Sequence, residues 1–162
     1  MNRKLKYMVI AIFTVFALGF FQSASAGDLI VVASKATQKA SRDWFGFLES
    51  KEIPVKTVTP ESFSNYKDQL YIVVLGDIKE SKDMEKIAKE ALTSKEFEAL
   101  SKSSDGQMYY KPQAWNVGQK VILFLGTSQK AVEDARKSTR EEWFDMLKDW
   151  FDIEDAGSFH VY

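Results

Sequence analysis

Three apolar runs of this chain end in residues that can hydrogen-bond, cap a helix or hold an anion. Ser34, Lys35 and Thr37 follow residues 29–33, Gly76 and Asp77 follow residues 70–75, and Gly126, Thr127 and Ser128 follow residues 121–125. Free N–H groups at helix N-termini hold anions, and Lys35 would add a positive charge. Each residue also has a plain structural reading. Gly76 and Gly126 serve as tight turns, Thr37, Thr127 and Ser128 as helix caps, and Asp77 as a solvated loop carboxylate. A Ser34–Lys35 dyad is disfavoured, because adjacent residues after a strand point apart.

Most familiar chemistry is excluded. The loop at 33–38 reads Ala-Ser-Lys-Ala-Thr-Gln and has no glycine, so the dinucleotide fingerprint is absent. There is also no Gly-rich phosphate loop ending in Gly-Lys-Ser or Gly-Lys-Thr. The only histidine is His160, in the tail, and there is no cysteine, so His160 is the one imidazole a nucleophilic triad could use and a zinc ligand set is lacking. Asp149, Asp152, Glu154 and Asp155 cluster late in the chain, but not with calcium-loop spacing. Neither a cofactor nor a metal is expected. Tyr109, Tyr110 and Trp115 would stack on a sugar, but a hairpin face packed on the core is the simpler reading.

The elements that must position these residues follow from periodicity. Residues 29–33, 70–75 and 121–125 are short, nearly continuous apolar runs, as in parallel strands buried on both faces. Residues 53–58 form a strand that Pro54 places near an edge, and Pro112 does the same for a strand over 107–115. One helix is expected from 34–37 to about 51. A short helical turn starts at Pro60 and runs to about 67. Two helices cover 82–92 and 94–100, and one long helix covers 128–151, leaving an irregular tail over 156–162. Chain parity makes residues 107–115 antiparallel, with a turn at 116–119. The expected fold is α/β: a three-layer, flavodoxin-like sheet of strand order 2-1-3-5-4 with right-handed crossovers and an antiparallel edge strand. In that topology a ligand would bind between strands one and three, at their carboxyl ends.

Two helices echo one another. Trp44-Phe45-Gly46-Phe47-Leu48 and Trp143-Phe144-Asp145-Met146-Leu147 share a pattern, and the second continues to Trp150 and Phe151. Either both helices cover one sheet face, or Trp143, Phe144, Trp150 and Phe151 present an interaction surface. The last helix's apolar arc, about 160° wide, leaves room for some exposure.

Residues 1–26 read as an export signal, with Arg3, Lys4 and Lys6, an apolar run over 7–21, and Ala24-Ser25-Ala26 before the expected cleavage. This nearly unbroken run of 15 residues falls short of the ~20 that span a bilayer, so a retained anchor is the weaker alternative. Residues 27–162 would remain as one domain of 136 residues in the periplasm or at the cell surface. They carry 19 Lys and Arg against 23 Asp and Glu, a net charge near −4. That balance argues against nucleic acid and anionic lipid as partners. With no cysteine, the fold relies on its core alone.

The strand end Leu75-Gly76-Asp77, the aromatic hairpin and Leu125-Gly126-Thr127 with Ala131 together resemble the non-catalytic α/β accessory domains of exported glycosidases and surface-layer proteins. The likeness spans about residues 27–150 and implies a non-catalytic module with no transferable catalytic residue. The expected function is therefore an exported module that mediates a protein or envelope interaction, including self-association. The rivals are a small-molecule binder or minor enzyme at the strand ends, taking an anion or sugar, and a structural subunit of a surface assembly.

Overall fold

The run Leu29–Ala33 becomes β1 and is buried at every position. Only a central strand covered on both faces buries five consecutive side chains. The computed structural model describes residues 27–153. The expected export signal, Glu154, Asp155, His160 and the tail lie outside the described residues. After β1 come α1 (Lys35–Ala40), α2 (Arg42–Ser50), β2 (Val55–Val58) and a 3-10 segment (Pro60–Tyr66). Then follow β3 (Tyr71–Asp77), α3 (Lys82–Ala91), α4 (Ser94–Lys102), β4 (Gln107–Tyr110), β5 (Lys120–Gly126), α5 (Gln129–Ser138) and α6 (Arg140–Phe151). The sheet order is β2-β1-β3-β5-β4, as the sequence predicts. β4 runs antiparallel to β5 and all other pairs are parallel.

Alternation along the strands divides the core. Ile30, Val32, Ile72, Val74, Val121, Leu123 and Leu125 pack against Phe63, Met84, Ile87 and Leu100, from the 3-10 segment, α3 and α4. Leu29, Val31, Val73, Leu75, Ile122 and Phe124 pack against Trp44, Leu48, Val132, Trp143, Leu147 and Trp150, from α2, α5 and α6. The two echoing aromatic helices thus share one face, and the Trp44 and Trp143 rings meet edge to face at 5.9 Å.

Both long helices of the sequence reading are broken. The first is interrupted at Ser41, where φ −99° and ψ 24° leave helical geometry. The Ser41 N–H still reaches the Thr37 carbonyl at 2.9 Å, and Ser41 O accepts from Trp44 N at 3.0 Å and Phe45 N at 3.2 Å, so Ser41 ends one helix and begins the next. The last helix breaks at Thr139. There the Ala135 carbonyl accepts from Ser138 Oγ (3.1 Å), Thr139 Oγ1 (2.8 Å) and Thr139 N (3.2 Å). Hydroxyls that bond back to the preceding turn distort helices in this way.

β4 is shorter than expected. Pairing extends through Lys111 N to Val121 O at 2.9 Å, and then Pro112 supplies no donor and Gln113 takes a left-handed φ of 61°. The loop that follows is held by Gln119, which is 2% exposed. Its Oε1 accepts from Trp115 N (3.1 Å) and Asn116 N (2.8 Å), and its Nε2 donates to Gln69 O (2.8 Å) and to Lys67 O.

Thr93 and Glu96 form a capping box at the start of α4, and Lys111 Nζ lies 2.6 Å from Glu96 Oε1. The Lys111 hydrogen bond, followed by those from Thr93, lowers the Glu96 pKa from 4.5 to about 2. A depressed carboxylate pKa stabilises the fold above the ordinary value, and that contribution fades as pH falls towards the folded value. Glu96→Gln should therefore melt below the native protein at pH 7, with the gap narrowing from about pH 4.5 towards pH 2. Melts of both proteins across that range test this, and a gap independent of pH would refute it.

Candidate functional site

The strand ends are largely occupied by the fold itself. Ser34 Oγ caps α1 by accepting from Thr37 N at 3.1 Å. Thr37 is fully buried and donates from Oγ1 to Gln129 Oε1 at 2.8 Å, tying α1 to α5. Ser128 Oγ caps α5 through Ala131 N at 3.2 Å, and Thr127 Oγ1 donates to Ser103 O at 2.8 Å. Asp77 Oδ1 accepts from Lys79 N at 2.8 Å, while Lys35 is exposed. A Cβ on Gly76 would stand 2.1 Å from Met84 Sδ, and one on Gly126 would stand 2.8 Å from Ala131 Cβ. These glycines let α3 and α5 approach the sheet closely. Two clefts lie near these loops, but neither joins them. One, of about 490 Å³, runs past Ile78, Ser81, Glu85 and Phe97. The other, of about 300 Å³, lies between Gly106 and Ser128, Ala131 and Asp134.

The aromatic residues of α6 are mostly core. Trp143 is 2% and Trp150 4% exposed, so these two do not form the interaction surface that the sequence suggested. The reason is that α2 and α6 cover the same sheet face: Trp143 is buried against Trp44 and Phe47 of α2, and Trp150 stacks on Tyr71 of β3 at 5.6 Å. Phe144 is half-buried against Phe47 at 5.0 Å, and Phe151 packs on Tyr71 at 4.9 Å. The hairpin aromatics are also packed. Trp115 meets Phe63 at 4.9 Å and Tyr109 lies against the core, while Tyr110 remains partly exposed. Asp149 pairs with Lys120 at 3.0 Å. Among the described residues, no group of three or more His, Asp or Glu is placed to hold a metal. No helix among them is long and apolar enough to cross a membrane.

The cleft best suited to a ligand lies elsewhere, between α2 and the junction of α5 and α6. It encloses about 420 Å³ and is lined by Asp43, Trp44 and Phe47 on one side and Arg136, Lys137, Arg140 and Trp143 on the other. Arg136 is 4% exposed. Its Nη2 donates to both oxygens of Asp43, at 3.1 and 3.2 Å, whereas its Nε is buried without an acceptor in the protein. Trp44 Nε1 is likewise buried without an acceptor. The Arg136 guanidinium sits 5.9 Å from the Trp44 ring, and Arg140 lies over Phe47 at 5.2 Å. Trp143 Nε1 donates to Arg136 O at 2.8 Å and fixes the end of α5. Burial draws the Asp43 pKa upward, but the hydrogen bond and charge of Arg136, with help from Trp44 N–H and Lys137, leave it below the usual carboxylate value.

Three cations thus converge on an aromatic floor, with Asp43 as the one carboxylate lining the cleft. Such a site can bind an anion with an apolar body. One sequence signal pointed here. Arg136 falls on the core-facing stripe of α5 with Val132 and Ala135, and a cation on such a stripe needs a partner. Comparison of the chain with protein-family models, with curated proteins and with solved structures finds no match.

Proposed function

We propose that the chain is an exported, non-catalytic binding module of the cell envelope that takes an anionic group into the cleft between α2 and the α5–α6 junction. The carrying observation is Arg136. It is buried in the cleft wall, yet its carboxylate partner Asp43 has a side chain that is 60% exposed. A buried guanidinium held so lightly suits exchange of one anion for another. Arg140 supports it, stacked on Phe47 and ion-paired with no carboxylate among the described residues. The local positive charge stands out in a chain whose residues 27–162 carry net negative charge. The export reading rests on Arg3, Lys4, Lys6, the apolar run and Ala24-Ser25-Ala26, and the non-catalytic reading on the lone His160 and missing cysteine. It accords with the likeness to accessory modules.

The test is a thermal melt of residues 27–162 against inorganic phosphate, sulfate, benzoate and citrate, with neutral sugars as controls. All described strands and both core clusters lie within this span. At a hundredfold excess over Kd, a bound anion would stabilise the fold by about 2.7 kcal/mol. We expect at least one anion to raise the melting point and Arg140→Gln to remove the shift. A shift from sugars alone, or one that survives Arg140→Gln, would count against the cleft. A second reading places a ligand at the strand ends, favoured by Gln129 Nε2, which is buried without an acceptor beside Thr37. It predicts instead a shift removed by Lys35→Ala or Asp77→Ala.

A further inference from the structure

Resting on that reading, we propose that the cleft takes a carboxylate carried on a flat apolar body, and that Asp43 is the site's own displaceable competitor. The geometry of one ion pair points to it. A guanidinium presents Nε and Nη2 along a single edge, and a carboxylate that spans this edge makes two parallel bonds. Asp43 does not span it. Both of its oxygens crowd onto Nη2, at 3.1 and 3.2 Å, and Nε has no acceptor. The pair is therefore a carboxylate on half of a two-pronged site. Asp43 reaches Arg136 from α2, 93 residues away in sequence, and its side chain is 60% exposed. Swinging outward returns it to water at little cost, whereas Arg136, with a side chain only 5% exposed, cannot follow.

The surroundings select the rest of the ligand. Phe47 is half-buried at the cleft wall, over a floor of Trp44 and Trp143. Such walls favour an aromatic body over a bare inorganic anion. Arg140 and Lys137 offset the charge of a displaced Asp43 together with that of the incoming carboxylate. Lys137 is shared with Glu133 at 3.3 Å, so Arg140 is the less committed of the two. An Asp43 that occupies Arg136 for most of the time lowers apparent affinity by the fraction of molecules left open.

The experiment is calorimetric titration of residues 27–162 with 2-naphthoate, with 2-naphthamide as its neutral counterpart and inorganic phosphate as the bare anion. Native protein, Asp43→Ala, Asp43→Asn and Arg140→Gln are compared, each checked for folding by circular dichroism. Asp43→Asn serves if the alanine variant does not fold. We expect 2-naphthoate to bind, the amide to fail, and removal of the Asp43 charge to tighten binding by about tenfold. Unchanged or weaker binding in the Asp43 variants, with Arg140→Gln still abolishing it, would overturn the competitor while leaving the cleft in place. Phosphate binding more tightly than 2-naphthoate would overturn the carboxylate and its apolar body. No binding of either anion by any variant would overturn both the inference and the reading beneath it.

Discussion

Trp143→Ala should destabilise the protein by about 4 kcal/mol, the range for truncating a buried aromatic. Trp143 is 2% exposed and meets four other rings: Trp44 and Phe47 at 5.9 Å, Phe144 at 6.1 Å and Phe124 at 6.5 Å. Its removal would leave a cavity where α2, α6 and β5 converge. It would also free the Arg136 carbonyl, which accepts from Nε1 at 2.8 Å. Trp143→Phe separates the two effects, since it keeps an aromatic ring but no donor, and should cost about 1–2 kcal/mol for the lost bond. Denaturant unfolding measures both. Native-like stability in Trp143→Ala, coupled to loss of an association, would restore this residue to an interaction surface.

Gly106→Ala should destabilise by about 3 kcal/mol, at the upper end for overpacking. A Cβ at Gly106 would stand 2.0 Å from the Ala131 carbonyl oxygen and 2.5 Å from its carbon. Both are backbone atoms of α5, in a helix turn that cannot rotate aside as a long side chain can. The start of β4 would have to lift away from α5, disturbing the pairing of Gln107 with Leu125. A melting point equal to that of the native protein would show that the two elements have slack between them.

The legible and illegible parts of this chain differ for physical reasons. Residues in β1, β3 and β5 could be read because unbroken β-branched and apolar runs are stable only when covered on both faces. Their order followed from parity and from Pro54 and Pro112. The helix breaks were hidden because Ser41, Ser138 and Thr139 resemble ordinary surface residues until their backbone geometry is known. Of the strand-end residues, Ser128 caps a helix as expected, whereas Gly76, Asp77 and Gly126 are still paired within β3 and β5, and Thr37 and Thr127 bond across elements instead of capping helices. Whether such hydroxyls serve a ligand or the backbone depends on distances of a few tenths of an ångström, and Ser34, Thr127 and Ser128 bond within the protein. The cleft was least legible. It depends on Asp43 meeting Arg136 across 93 residues, and only the place of Arg136 on a core-facing stripe hinted at it.

The position of β5 also governs how the chain can be made. β5 is the last strand among the described residues, yet it lies between β3 and β4 in the sheet. A ribosome must therefore deliver residue 126 before the sheet can close. Until then Tyr71–Asp77 has one bare edge, and Gln107–Tyr110 has no neighbour at all. A nascent chain halted after α4 holds a seven-residue strand with five buried positions and no partner on that edge. Bare apolar edges recruit other chains, so this half-built sheet is exposed to non-native pairing until β5 is delivered. Closure of the sheet is thus tied to completion of the chain: β2, β1 and β3 can pair early, but β3 and β4 gain their shared neighbour only with β5.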